Sequence, residues 1–505
     1  LSGHGAIRND AGGVTGSTVT RRITVDQSGG DSTFNGALLS HTSSGSAIRA
    51  LTLTKDGSSK LTLAGFIGKQ TTSAGSAAAA VNLIVNNGTL EVNNASNSST
   101  TNTAARNTTG TVTMNGGTFA FASNAWPNTS VGAFLMNGGT LQWSSGNTQD
   151  ISGRLGAIPS GKSAVFDTNG NAIIFATALT GSGGFTKTGA GSLTLAASNS
   201  LSGAAIVQNG ALILAGALTG AGGASITSSG TLTGNGSISG PVVSSGSIQP
   251  GNGIGTLTFG ALSLGSGASI SWQISDWTGA AGAGRDGIVS DTLDLTASPS
   301  SPITVLVSEQ SLGNFSNAPA TFPLIQTTGG ITGFSASKFV INQAGFTSGG
   351  GVWNVQLSTN GKTLELVYSG ATPDSNGNGL HDTWEIAEFG NAAAGAQPAN
   401  GDADADGLSN LIEYALDTRP TSFSANPLVV DRELLSGSTY LRMTIPKNPG
   451  ATQLSYLVEF SSDLSPASWS AEGSVIEENT AARLIVRDGA SGQPRRFVRL
   501  RVTAP

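Results

Sequence analysis

The chain has 505 residues, of which 72 are glycine, 11% are charged, three are histidine and none is cysteine, with a net charge of −6. Glycine this abundant, with few charges and no Gly-X-Y period, excludes collagen, coiled coils and helical bundles and leaves an all-β architecture rich in tight turns. The same counts exclude disulfides and thiol chemistry, leave little for a histidine-based site, and argue against a nucleic-acid partner.

Residues 1–370 form one compositional block with only 13 acidic residues. They are written in short apolar alternations punctuated by glycine, as in Leu51-Thr52-Leu53-Thr54, Leu193-Thr194-Leu195 and Leu257-Thr258-Phe259. Such alternation sends one side chain inward and the next outward. The outward residues are mostly Thr, Ser or Asn. No apolar run approaches the ~18 residues that span a bilayer, so no transmembrane segment is expected. The sequence opens on Leu1 without a visible signal peptide, and more chain is expected upstream.

A repeat emerges when the Asn/Ser-Gly turns are aligned. Asn87-Gly88-Thr89-Leu90, Gly116-Gly117-Thr118-Phe119 and Gly138-Gly139-Thr140-Leu141 form one set. Asn209-Gly210-Ala211-Leu212, Ser229-Gly230-Thr231-Leu232 and Ser245-Gly246-Ser247-Ile248 form another. The second glycines lie 29 and 22 residues apart in the first set, 20 and 16 in the second. Irregular short periods of this kind predict a parallel β-solenoid, in which stacked coils make a core that no single coil can bury.

The stretch Gly183-Gly184-Phe185-Thr186-Lys187-Thr188-Gly189-Ala190-Gly191-Ser192-Leu193-Thr194-Leu195, followed by Leu201-Ser202-Gly203, Gln208–Leu212, Leu232–Gly236 and Pro250–Leu257, resembles the autotransporter-associated β-strand repeat of bacterial passenger domains. The similarity is strongest over 183–265 and extends more weakly to Leu1 and to about Gly370. It implies a right-handed parallel β-helix over residues 1–370, at the extracellular face or outer surface of a Gram-negative bacterium. Nothing in these residues reads as the membrane β-barrel that ends an autotransporter.

Four features of this block invite chemical readings. Asn93–Gly110 is an Asn/Ser/Thr tract predicted to protrude as a loop. Gly156-Ala157-Ile158-Pro159-Ser160-Gly161-Lys162-Ser163 satisfies the P-loop expression, but the following residues read as strand, turn and strand, not as the helix a phosphate cradle needs. Asp286, Asp291 and Asp294 cluster near Arg285 and are candidates for acid–base work or for an outward solvated strand. Trp126, Trp143, Trp272 and Trp277 suit core packing better than a sugar-stacking face.

Residues 371–420 change character. Asp374, Asn376, Asn378, Gly379, Leu380, Asp382 and Glu385 occupy positions 1, 3, 5, 6, 7, 9 and 12 of an EF-hand-type calcium loop. Asp402, Asp404, Asp406, Gly407, Leu408, Asn410 and Glu413 occupy the same positions of a second. The spacing lets side-chain oxygens and the position-7 carbonyl converge on one hard cation, Ca2+, while glycine permits the sharp turn. The second loop has four carboxylates and the first three, so tighter binding is expected at the second. Helix-forming runs, Thr383–Phe389 and Leu408–Leu416, follow each loop, and none clearly precedes it. That arrangement resembles dockerin or thrombospondin type 3 calcium modules, which implies a structural ion.

Residues 421–505 hold nine Arg/Lys and eight Asp/Glu. Alternation at Tyr440–Ile445, Leu454–Phe460, Arg483–Arg487 and Phe497–Val502 predicts a small antiparallel β-sandwich. The composite expectation is a non-catalytic extracellular stalk, fibre or adhesin, with calcium stiffening the joint before the tail. Its expected partners are other copies of itself, head-to-tail or lateral, or a host or matrix surface, with a glycan as a further option. The alternatives are a polysaccharide lyase or hydrolase on the same fold and a dockerin-like adaptor.

Overall fold

The computed structural model describes residues 6–9, 18–42, 48–65, 67–71, 79–93, 110–122, 131–349, 351–371, 374, 376–391, 397–451, 453–493 and 495–504. Strands dominate, with two α-helices among the described residues. The tract at 94–109 and Trp126 lie outside them. Two compact units emerge. One comprises Leu1–Phe315, Phe322–Phe346 and Val355–Leu366, the other Ser316–Thr321, Thr347–Asn354 and Val367–Pro505.

The first unit is built of parallel sheets to which the chain returns again and again. Ala172–Phe175, Ser192–Leu195, Gly210–Leu214, Gly230–Gly234, Ser247–Pro250, Ser269–Asp276, Ile303–Gly313 and Phe339–Gly345 pair in that order. Between successive visits the chain lays strands of a second parallel sheet, such as Gly184–Thr188, Ala205–Val207, Ala224–Ile226 and Val242–Ser244. Towards the N-terminus a five-stranded parallel sheet runs through Thr18–Asp26, Ile48–Asp56, Ala79–Val85, Gly110–Met114 and Val131–Met136.

Register follows the period of two. Leu193, Leu212, Leu232, Ile248, Ile270 and Val305 are successive ladder partners, and every one is fully buried. One residue earlier, Ser192, Ala211, Thr231, Ser247, Ser269 and Thr304 form the adjoining, half-exposed column. Each inward aliphatic contributes roughly 1.5–3 kcal/mol by leaving water, and a one-residue slip would turn the whole column outward. The aligned turns are ladder neighbours: Thr89, Thr118 and Thr140 stand in register, as do Gly210 and Gly230. Aromatic rings continue the stack inside, with Phe121 5.3 Å from Trp143 and Phe166 6.1 Å from Phe185. At a corner, Asn137 Nδ2 donates to Asn115 Oδ1 at 3.1 Å, and Asn115 Nδ2 to Asn86 Oδ1 at 3.0 Å.

Among the described residues of this unit, Lys55 and Lys187 are fully buried. Lys187 Nζ donates to the carbonyls of Thr188, Gly189 and Asn209 at 2.9, 2.8 and 3.0 Å. Lys55 repeats the pattern, donating to Asp56, to Gly57 at 2.7 Å and to Asn87 at 3.5 Å. In each case the third acceptor belongs to the Asn-Gly turn of the next rung. The glycine of that turn is obligatory. Gly210 has φ +69°, and a Cβ there would sit 2.4 Å from the Gly191 carbonyl oxygen and 2.8 Å from the Lys187 ammonium. Thr-Lys-x-Gly in one rung and Asn-Gly in the next are thus two halves of one device.

In the second unit, Val429–Leu435, Ser438–Pro446, Arg483–Arg487 and Val475–Asn479 form a four-stranded antiparallel sheet. Ser455–Ser461 and Phe497–Thr503 form a two-stranded one. Met443, Ile445, Leu484 and Val486 of the first sheet share a buried core with Val458 and Phe460 of the second. The helices are α1, Asp382–Phe389, and α2, Asn410–Leu416. No helix among the described residues is long and apolar enough to cross a membrane.

Candidate metal centre

Each acidic loop wraps on itself before running into its helix. In the first, Asn378 N donates to Asp374 Oδ1 and Asn376 Oδ1, both at 3.0 Å. Gly379 N reaches Asp374 Oδ2 at 2.6 Å and Leu380 N reaches Asn378 Oδ1 at 2.8 Å. The second loop makes the same four bonds one for one. Asp406 N donates to Asp402 Oδ1 and Asp404 Oδ1 at 3.2 Å, Gly407 N to Asp402 Oδ2 at 2.9 Å, and Leu408 N to Asp406 Oδ1 at 2.8 Å. Gly379 and Gly407, at position 6, have φ of +90° and +93°, where only glycine is comfortable. Both helices begin at position 9, so Asp382 and Asn410 open their first turns. Glu385 and Glu413, at position 12, lie on those helices, and all four of these side chains are buried.

The second loop fits a hard cation on two independent counts. Carboxylate oxygens of Asp402, Asp404 and Asp406 all lie within 4.8 Å of one another. Oxygens around a calcium at about 2.3–2.6 Å are no more than ~5 Å apart. Further, Asp404 Oδ2, Asn410 Oδ1 and Glu413 Oε2 are buried and have no hydrogen-bond partner among the described residues. Buried polar atoms are almost always satisfied, and a cation would satisfy all three. Burial, then repulsion from Asp406, Asp404 and Asp402, pushes the Glu413 carboxyl up to about 7. A divalent charge among the four carboxylates would reverse that penalty.

The first loop differs in its amides. Asn378 Nδ2 donates to Glu385 Oε1 at 2.8 Å, and Asn376 Nδ2 reaches both Glu385 oxygens at 3.2 and 3.1 Å. Burial raises the Glu385 carboxyl, and these amides oppose the rise. Leu380 at position 7 is fully buried, against Tyr414, Ala415 and Leu454. Leu408, its counterpart, is half-buried.

Partners of the second loop outside the motif include Thr418, whose Oγ1 donates to Glu413 Oε1 at 3.5 Å, and two more. Ser424 N donates to Asp406 Oδ2 at 2.8 Å, and Asn410 Nδ2 donates to the Pro398 carbonyl at 2.9 Å. Nothing in the motif's spacing signals any of them.

The other chemical candidates separate. Asp286 is fully buried and accepts from Gly255 N at 2.8 Å and Gln273 N at 2.9 Å, bracing neighbouring strands. Burial pushes it up to about 7 against those two bonds. Asp291 and Asp294 are exposed, and Asp294 accepts from Thr332 Oγ1 at 2.9 Å. Arg285 donates to the Gly279 carbonyl and lies over the Phe322 ring at 5.3 Å. One acid points in and two point out, so the three do not converge. Ser163, the last residue of the P-loop match, opens the strand Ser163–Asp167, which leaves no helix N-terminus to receive a phosphate. Trp143, Trp272 and Trp277 are buried and offer no face to a sugar.

Comparison with protein-family models gives no match, and no curated protein is significantly similar to the chain in sequence.

Proposed function

We propose that this chain is a non-catalytic structural protein of the bacterial exterior, forming part of a cell-surface stalk, fibre or adhesin. Its first unit is a right-handed parallel β-helix of the passenger type, and its tail is a β-sandwich that follows a calcium module. The observation that carries the reading is the parallel ladder itself. Rung after rung it presents an apolar column inward and beside it an uncharged column of small residues, mostly Ser and Thr. The buried ammonium groups of Lys55 and Lys187 are spent on backbone carbonyls of successive rungs. Stacking of this kind holds its core without disulfide or prosthetic group. A Ca2+ ion would be held by Asp402, Asp404, Asp406, Asn410 and Glu413, with the Leu408 carbonyl. A second would be held by Asp374, Asn376, Asn378, Asp382 and Glu385, with the Leu380 carbonyl. The separation of Asp286 from Asp291 and Asp294 weighs against a polysaccharide lyase or hydrolase at that cluster.

The test is negative-stain electron microscopy of the purified chain in millimolar calcium, alongside polysaccharide binding and cleavage screens. Regular filaments, or tight surface binding without turnover, are expected. Cleavage of any polysaccharide with turnover overturns the proposal.

A further inference from the structure

Helix α2 serves two masters. Its N-terminal half carries Asn410 and Glu413, each with a buried oxygen that has no hydrogen-bond partner among the described residues, and Glu413 lies close enough to Asp406, Asp404 and Asp402 to feel their charge. Its C-terminal half belongs to the β-sheets. Leu416, three residues after Glu413, is 2% exposed and sits in the core cluster with Met443, Ile445, Val458, Phe460, Leu484 and Val486. Tyr414 and Ala415 are buried with Leu380 of the first loop and with Ala451 and Leu454, and Tyr456 and Val502 pack against that cluster.

The end of the helix is capped by the sheets as well. The Ala415 carbonyl accepts from Tyr456 Oη at 2.8 Å and from Asn448 N at 2.9 Å. The Tyr414 carbonyl accepts from Asn448 Nδ2 at 3.0 Å. A seven-residue helix has no stability of its own in water. What holds α2 is therefore the loop at one end and the sheets at the other.

Four carboxylates brought together without a counter-ion repel one another, and one of them, Glu413, is out of water. That repulsion acts on α2. If α2 leaves its seat, the sheets lose Leu416 from their shared core and expose the faces it covered.

We propose that cation binding at Asp402, Asp404, Asp406, Asn410 and Glu413 is the folding switch for the whole antiparallel β unit, as far as the last strand Phe497–Thr503, and not for its own loop alone. This rests on the calcium reading above and extends it. Calcium, on this view, creates the tail: a calcium-poor compartment keeps it open, and a calcium-rich one closes it.

The experiment is hydrogen–deuterium exchange on the full chain, titrated from chelator to millimolar calcium, with bound calcium measured in parallel by equilibrium dialysis. Strands Ser438–Pro446, Ser455–Ser461, Arg483–Arg487 and Phe497–Thr503 are expected to lose at least about 100-fold of their protection in chelator. They should regain it at the same calcium midpoint as residues 402–413. Strands of the first unit, such as Ser192–Leu195, should not respond. A gentler probe is Tyr456→Phe, which removes only the bond to the Ala415 carbonyl. By reciprocity it should raise the calcium midpoint about three- to tenfold, although Tyr456 is not one of the ligands of the second loop. Sheets that stay protected while the loop exchanges freely would overturn the switch and leave calcium binding standing. So would an unmoved midpoint in Tyr456→Phe. No bound calcium by dialysis would overturn the metal reading itself.

Discussion

Replacing Lys187 by methionine tests the rung-to-rung device directly. The side chain is fully buried, and its ammonium holds three carbonyls, that of Asn209 in the following rung. Bonds to a charged group are worth roughly 1.5–3 kcal/mol each, but one ammonium serving three acceptors does not deliver the sum. Holding that charge out of water costs several kcal/mol, which methionine avoids while keeping the volume of the stem. The balance is a loss of about 2–4 kcal/mol, borne locally because stacked rungs are coupled mainly to their neighbours. The readout is hydrogen exchange at the Gln208 and Ala211 amides, which bond to the Lys187 and Gly191 carbonyls. Their exchange should quicken by about 30- to 900-fold, the same free energy expressed as a rate. Burial also pushes the Lys187 ammonium down to about 8, with Asp167 opposing. Its folded-state value thus lies below its unfolded value. The cost of the buried charge is present in full below pH 8 and is relieved as pH climbs towards ~10.4, the free value. The stability gap between wild type and Lys187→Met should therefore widen over that window. Exchange within threefold of wild type at both amides would refute the clamp.

Three further outcomes follow from the same geometry. Gly210→Ala should cost at least about 3 kcal/mol, since it adds left-handed strain to a 2.4 Å clash with backbone, and thermal denaturation will register it. Asp286→Asn should cost about 1–3 kcal/mol by spoiling two buried acceptor bonds. Because Asp286 is raised to about 7, its contribution is full below ~4 and is lost as pH rises to 7. Denaturant melts of wild type should show that slope, and Asp286→Asn should flatten it. Glu413→Gln should weaken calcium binding at the second loop by about 100-fold, or ~2.7 kcal/mol, in a calorimetric titration, while the equivalent change at Glu385 leaves that loop untouched.

The parallel sheets were legible because their signal is local. Alternation over three or four residues and an Asn-Gly turn suffice to place Leu193 inward and to put Gly210 beside Gly230. The helices of the acidic loops were legible too, with Thr383–Phe389 expected and Asp382–Phe389 found. Two strands escaped, Val429–Leu435 and Val475–Asn479. Both lie at the edges of their sheet, where one flank is solvated and side chains need not alternate. Lys187 stood in the repeat, yet its role was hidden. A lysine in an inward position reads as an exception until the carbonyls it serves, up to 22 residues away, are in view. The grouping of Asp286, Asp291 and Asp294 left acid–base work and a solvated strand both open. Nearness in sequence does not fix the side: Asp286 precedes the strand Gly287–Leu295 and is buried, while a register shift between Ser290 and Thr292 leaves both Asp291 and Asp294 exposed on it. The packing of Leu416 among the tail strands was likewise beyond local pattern, because its neighbours are supplied by segments far along the chain.

The ladder constrains only a few residues of each rung, while the chain between them varies freely: Thr89 pairs with Thr118, but Thr231 with Ser247. Lengthening a surface excursion costs little, about 0.6 kcal/mol for each doubling. The first unit is therefore a scaffold on which new surface can be grown without rewriting the interior. Foreign peptides could be grafted at residues 159–162, the exposed end of a 19-residue connection between two paired strands whose earlier part buries Asn147, Ile151 and Ile158. Selection acting on such a molecule would diversify what it displays far faster than what holds it together.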